Sequence, residues 1–456
     1  MISFMDYMVL AFGTATDWNP DNSYSFLTAT SDALLSFDTP RTLSLHVSSL
    51  SSNNFASSYT LSTLGQIDGS ISYLYSSHPL GYIPAQSTSI PLRNLVRGYR
   101  DLRVPKLPDT SWWNVPNGRK PTLLYARLAL PPPTVLTAVY ARRISPETLL
   151  SLSLYSKSTA SSNSSAQLNN GNGTPPASVL THLQHDTGRY SIEGLLSTDS
   201  ALLGCRGLYN FGLDPPEDLV AKDRLQAYRN RLSSKPSLLS AGAEFYYSPF
   251  SHVIGMSTGL RFTTLAPHIT PGPSQSLTKG KPLAGTAASL LSPANLSHSS
   301  FPYTMTLTLN PLVGGIASTY SVRPTPNLAL SSRFDFNFYS WESRYVFGAE
   351  VWRGSTRSSS SPDDPVHWAR KRAQGWFSPE EQALKDERFE RENENVVKLR
   401  VDDGWNVKAL WTGRVKALLV SCGVTVSPSG VVRKGDQDGV GRPWSGKVGV
   451  SLAYST

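Results

Sequence analysis

The sequence predicts an all-β protein, a membrane barrel or a soluble sandwich or propeller. Three observations carry the prediction. Short segments recur in which apolar and polar residues alternate, Pro and Gly each number 33 amid abundant Ser and Thr, and Tyr and Trp fall repeatedly near the ends of those segments. With 456 residues, 39% of them hydrophobic, the chain has too much apolar content for a disordered protein. A membrane-spanning strand needs only about 9 to 11 residues with one apolar face, so the signal must be read over many segments. Periodicity alone fits a membrane barrel and a soluble β-sandwich or propeller equally. The aromatic placement, suited to interfacial girdles, favours the membrane.

The first residues, "MISFMDYMVLAFGTAT", lack a basic n-region and carry Asp6 inside the apolar stretch, so they read neither as a secretory signal nor as a transit peptide. Phe4, Met5, Met8, Val9 and Phe12 share one helical stripe. Residues 1–16 therefore read as an amphipathic helix that plugs or docks, or as a frayed terminus.

Strand-like alternation begins with Leu43, Leu45 and Val47 opposite Ser44, His46 and Ser48. Next come Ile71, Tyr73 and Tyr75 opposite Ser70, Ser72 and Ser76, then Leu150, Leu152 and Leu154 opposite Ser151 and Ser153. Later segments repeat it: Tyr303, Met305, Leu307 and Leu309 against Thr304, Thr306 and Thr308, and Phe334, Phe336 and Phe338 against Arg333, Asp335 and Asn337. Trp405, Val407, Ala409 and Trp411 stand against Asn406 and Lys408. Each such strand has one apolar and one polar face.

Ser/Pro-rich inserts at 158–176, 271–286 and 354–395 read as loops. Within the last, Ser378 to Glu381 fits a capping box with Pro379 at the first helical position, which predicts a short solvated helix. Asp223–Pro236 reads as a short basic helix, either a solvated connector or a contact for a partner or acidic headgroups. The sequons at Asn163, Asn172 and Asn295 are discounted, because such triplets are common in Ser-rich loops.

The net charge of +9 is spread along the chain with no dense basic block among aromatics, which argues against nucleic acid as a partner. No stretch of about 18 uncharged apolar residues occurs, a test that is blind to barrels. Cys205 and Cys422 are too few for a disulfide framework. His182 and His185 would supply half a metal site on a helix but would face opposite sides of a strand. Asp363 with Asp364 and Asp402 with Asp403 read as loop or strand-end charges in water. No nucleophile elbow, phosphate loop or dinucleotide fingerprint is present, so the sequence implies neither catalysis nor a cofactor.

The block "WNPDNSYSFLTATSDALLSFDTPRTLSLHVSSL", then "SYTLSTLGQIDGSISYLYSS", "GLYNFG", "SAGAEFYYS", "GLRFTT", "SRFDFNFYSWES" and the final strands closely resemble the mitochondrial distribution and morphology protein 10 family over nearly the whole chain apart from the Ser/Pro-rich inserts. The resemblance implies one domain over residues 1–456. It would be a fungal barrel of the mitochondrial outer membrane, similar to the eukaryotic porins, with about 19 strands, parallel first and last strands, and an N-terminal segment able to sit in the lumen. Nineteen strands of about 10 residues use roughly 190 residues, leaving more than half the chain for connections.

The resemblance also implies two assemblies. One is the ER–mitochondria encounter structure, whose other subunits tether the organelles for phospholipid exchange. The other is the sorting and assembly machinery, with its barrel and accessory subunits, linked to late assembly of the translocase and its small subunit. Tyr73 and Tyr75 match the family's tether-facing aromatic pair, and Phe334 and Phe336 the pair facing the assembly machinery. As residues alone, both pairs read first as ordinary lipid-facing rows, and only the resemblance brings the partner reading level with that one. An anion-selective metabolite pore on the same architecture is the alternative, consistent with the basic surplus.

The last segment, "KVGVSLAYST", resembles the mitochondrial β-signal, polar-x-Gly-x-x-hydrophobic-x-hydrophobic, with Lys447, Gly449, Leu452 and Tyr454 in those places. A last strand that pairs with the first leaves no edge unsatisfied in lipid, so this segment is expected to close the barrel.

Overall fold

A computed structural model describes residues 1–40, 42–64, 66–100, 102, 120–131, 134–157, 177–211, 237–264, 301–353, 394–428 and 444–456. The capping-box helix, the 223–236 segment, the sequons, Asp363 and Asp364, and nearly all of the three predicted inserts lie outside them.

A single sheet of 19 strands closes on itself. Its first half comprises β1 (Leu43–Ser52), β2 (Phe55–Leu64), β3 (Gln66–Ser76), β4 (Thr122–Leu130), β5 (Val135–Ser145), β6 (Thr148–Lys157), β7 (Ala177–Asp186), β8 (Tyr190–Ser197), β9 (Leu203–Phe211) and β10 (Ser237–Ser248). The second half comprises β11 (Val253–Thr264), β12 (Tyr303–Asn310), β13 (Gly315–Thr325), β14 (Leu328–Asn337), β15 (Glu342–Arg353), β16 (Asn395–Asp402), β17 (Val407–Val415), β18 (Leu418–Pro428) and β19 (Trp444–Ser455). Consecutive strands pair antiparallel throughout, and β1 with β19 is the parallel exception. An odd number of alternating strands forces that exception, because the first and last then run the same way. Leu43 faces Val450 and Val47 faces Tyr454 across the seam.

The wall has the opposite polarity to a soluble sheet. Leu43, Leu45, Val47, Tyr73, Tyr75, Met305, Leu307 and Phe334 are exposed on its outside. Ser48, Ser58, Ser70, Ser72, Thr304, Thr306, Ser321 and Ser331 are buried on its inside, and Ser321 and Ser331 share a 2.8 Å hydrogen bond. Apolar side chains left in contact with the surroundings on strand after strand require a hydrocarbon solvent, which decides against the soluble sandwich. No helix among the described residues is long and apolar enough to cross a membrane.

Inside lie α1 (Phe4–Ala15), a 3₁₀ turn at Tyr24–Phe26, α2 (Ala29–Leu35) and, from the β3–β4 connection, α3 (Leu92–Leu95). Ser3 caps α1 by accepting the Asp6 amide at 3.1 Å. α1 buries Met5, Tyr7, Met8, Ala11 and Phe12. Of these, Met5, Tyr7, Met8 and Phe12 pack with Leu80, Ile90, Leu92 and Leu95 of the β3–β4 connection and with Ala56, Leu74, Leu123, Trp352, Val396 and Leu419 of the wall. Each fully buried apolar side chain of this set contributes about 1.5–3 kcal/mol. The predicted stripe holds at Met5, Met8 and Phe12, with Phe4 and Val9 partly buried at its margin.

Three details correct the alternation. Trp405 is no strand residue: it sits in the β16–β17 hairpin at φ +58. Phe338 likewise falls past the end of β14, because Asn337 accepts the Tyr339 amide at 2.9 Å and turns the chain. Trp411 lies mid-strand in β17, opposite Cys422, and so is no end-of-strand aromatic.

Candidate functional site: the lined lumen and two aromatic faces

The lumen is lined by the chain's own first forty residues, held by polar side chains that the period-two pattern turns inward. Thr16, which caps the C-terminal end of α1, offers its carbonyl to Arg143 Nη1 at 2.7 Å, and the same guanidinium lies over the Trp18 ring at 4.7 Å. Asn22 donates to Asp186 at 2.5 Å and accepts from Asn210 at 2.8 Å, joining the segment to β7 and β9. The Tyr24 hydroxyl meets Ser257 of β11 at 2.5 Å, and burial pushes that phenol above its usual range. Arg261 of β11 reaches the Phe26 carbonyl at 3.4 Å.

α2 continues the line across β13, β14, β15 and β16. Arg333 pairs with Asp32 at 3.6 Å, and Lys398 Nζ donates to the Ala33 carbonyl at 2.9 Å and to the Arg97 carbonyl. Arg414 donates to the Ile90 carbonyl. Four wall cations thus grip backbone carbonyls of the lumen segments, two of them where a helix or 3₁₀ turn ends and the peptide dipoles favour positive charge. Finally the Thr39 hydroxyl meets Thr425 of β18 at 2.8 Å.

A second polar group lines β7–β10. Glu193 is almost fully buried, with His182 at 3.0 Å and Arg206 at 3.6 Å, and Arg206 also lies 3.3 Å from Glu244. His182 points inward, whereas His185 meets Tyr190 on the other side, their rings 6.2 Å apart, as a strand dictates. No group of three metal-ligating side chains occurs among the described residues. Asp402 is a strand-end carboxylate as expected, yet it is buried and ion-paired with Arg400 at 2.8 Å and Arg344 at 3.0 Å, not hydrated.

Outside, the two predicted aromatic pairs belong to separate clusters. Tyr73 stacks on Phe55 at 5.9 Å and meets Tyr59 edge-on at 6.5 Å, with Tyr75 directly opposite Phe55 across β2 and β3. Phe334 faces Tyr345 across β14 and β15, and Phe336 meets Trp341 edge-on at 6.1 Å. Strands β4–β13 separate the clusters one way round, and β16–β19 and β1 the other way. They therefore present to different sides of the barrel.

In β19, Leu452 and Tyr454 sit in the outward row beside Leu45 and Val47 of β1, while Lys447 and Gly449 belong to the inward row, opposite Thr425 and Gly423. No pattern in the sequence marks α2, the entry of residues 77–100 into the lumen, or the four carbonyl-gripping cations. Only the inward phase of Arg143, Arg261, Lys398 and Arg414 could have marked those cations.

Comparison with known proteins now bears on this architecture. The family model for mitochondrial distribution and morphology protein 10 matches residues 1–388 and 370–456. Proteins of that name from Neosartorya fischeri and Aspergillus fumigatus are each 47% identical to this chain, and one from Coccidioides immitis is 48% identical, all over the full length of both chains. The chain belongs to the mitochondrial distribution and morphology protein 10 family. Its members are mitochondrial, and this member is a non-enzymatic membrane barrel.

Proposed function

We propose that this barrel acts in mitochondrial distribution and morphology from the mitochondrial outer membrane. There it anchors the ER–mitochondria tether that supports phospholipid exchange, and it serves the sorting and assembly machinery in late assembly of the translocase and other barrels. The observation that supports a double role is the pair of exposed aromatic clusters on different sides of one closed wall, centred on Tyr73 with Tyr75 and on Phe334 with Phe336. Two faces allow two partners to be bound without sharing residues. Lys447, Gly449, Leu452 and Tyr454 are read as the insertion signal.

The test is co-purification from mitochondria. Tyr73→Ser with Tyr75→Ser is expected to lose the tether subunits and keep the assembly machinery, and Phe334→Ser with Phe336→Ser the reverse. Retention of the tether subunits by the first variant would overturn the assignment, and equal loss of both partners in each variant would indicate misfolding. Packing of α1, α2 and residues 77–100 against the inner wall weighs against the anion-pore alternative. Large, stable, anion-selective openings of the purified protein in a planar bilayer would restore it.

A further inference from the structure

Residues 1–40 make one circuit of the inner wall and meet its strands in chain order. α1 lies on β2 and β3, Thr16 on β5, Asn22 on β7 and β9, α2 on β13 to β16, and Thr39 on β18. The Thr42 carbonyl then accepts the Val450 amide of β19 at 3.1 Å, and the next residue opens β1.

A pair joined by a short hairpin, such as β1–β2 or β13–β14, can take its register from the turn between its strands. The β1–β19 seam cannot, because its partners stand at opposite ends of the chain. A one-residue slip would turn Leu43, Leu45 and Val47 into the lumen, but a two-residue slip keeps the faces and so escapes that penalty. Something else must exclude it. Thr39 and Pro40 are seated on Gly423, where an added Cβ would stand 2.7 Å from each of them. From that seat to Leu43 the chain spans at most about 10 Å, while a two-residue slip displaces a parallel strand by about 6.6 Å. Seat and slip therefore compete.

We propose that the circuit is the register-setting template of the seam: bound along the inner wall and seated at Gly423, residues 1–40 deliver β1 to β19 with Leu43 opposite Val450. The template would act during closure and persist as the lumen lining.

Bifunctional thiol crosslinking of the full-length chain in lipid vesicles tests this, with Cys205→Ser and Cys422→Ser as background. Ser44→Cys with Ser451→Cys reports the native register, and Ser44→Cys with Ala453→Cys a two-residue shift. The unaltered chain should crosslink in the first pair alone. Gly423→Leu, which fills the seat, and a Gly-Ser insertion between Pro40 and Arg41, which leaves the seat intact but lengthens the link, should each lose native crosslink and gain the shifted one. Gly446→Leu, at a site where an added Cβ meets nothing within 4 Å, should keep the native pattern. If Gly423→Leu fails to form a barrel, the insertion variant decides alone. Purely native crosslinking in the insertion variant overturns the proposal.

Discussion

Arg143 Nη1 donates to the carbonyl of Thr16 at 2.7 Å, so a wall residue of β5 closes the C-terminal end of the lumen helix α1. Its Nη2 reaches the Pro146 carbonyl at 2.5 Å and its plane covers Trp18, which leaves the side chain 2% exposed. Arg143→Ala would strand a buried carbonyl, at a cost of about 1–3 kcal/mol, and lose a desolvated cation–π contact of about 2 kcal/mol. Hydrogen exchange across α1 should accelerate while exchange in β4–β6 stays slow. Arg143→Lys keeps the charge without the planar fork and should fall between the two.

Lys398 and Glu350 form a buried ion pair at 3.2 Å, each side chain 2% exposed, and Glu350 also accepts the Trp352 indole N–H at 2.5 Å. Removing one partner leaves the other charge buried and unpaired, so Glu350→Gln should destabilise by about 3–5 kcal/mol. Replacing both, as Lys398→Met with Glu350→Gln, should recover much of that loss. Lys398 also holds Ala33, so the double variant should still show weaker protection of α2. Thermal unfolding in detergent, arranged as a double-mutant cycle, reads the coupling.

Two glycines of opposite outlook make a matched pair. At Gly348 of β15 an added Cβ would lie 2.7 Å from Leu35 Cδ2 and 3.0 Å from the Leu34 carbonyl oxygen, so α2 sits on bare backbone there. At Gly194 of β8 it would meet nothing within 4 Å. Gly348→Ala should destabilise by about 1–3 kcal/mol through overpacking, whereas Gly194→Ala should be neutral or stabilise by about 0.5–1 kcal/mol through reduced unfolded-state freedom. Unfolding midpoints of the two variants measured side by side check both signs.

The wall was legible in the sequence because period two is a local property: Thr304, Thr306 and Thr308 against Met305, Leu307 and Leu309 declare both faces within one segment. The helix stripe at Met5, Met8 and Phe12 was legible for the same reason. What stayed hidden depends on residues far apart in the chain. Lys398 looks like any inward polar residue until Ala33 and Glu350 are brought to it, and α2, seven residues long, carries too short a pattern to announce itself. Trp405 misled because a hairpin at positive φ continued the apolar alternation one step beyond the strand. The aromatic pairs were visible as outward-facing residues, but facing lipid does not by itself separate a partner surface from a lipid surface.

The α-amine of Met1, when unmodified, should make the lumen lining sensitive to pH. Burial, then the nearby charges of Lys398 and Arg97, lower it from 8.0 to about 6, with Asp38 opposing. Between those values the undocked segment binds a proton that the docked one does not, so docking strengthens as pH rises from about 6 to 8 and is weakest below 6. A shift of two units corresponds to at most about 2.7 kcal/mol. Exchange protection of α1, corrected for the intrinsic pH dependence of amide exchange, should therefore be greater at pH 8 than at pH 6. N-terminal acetylation, which removes the titrating group, should flatten that difference, while a dependence that survives acetylation would assign it to other lumen groups.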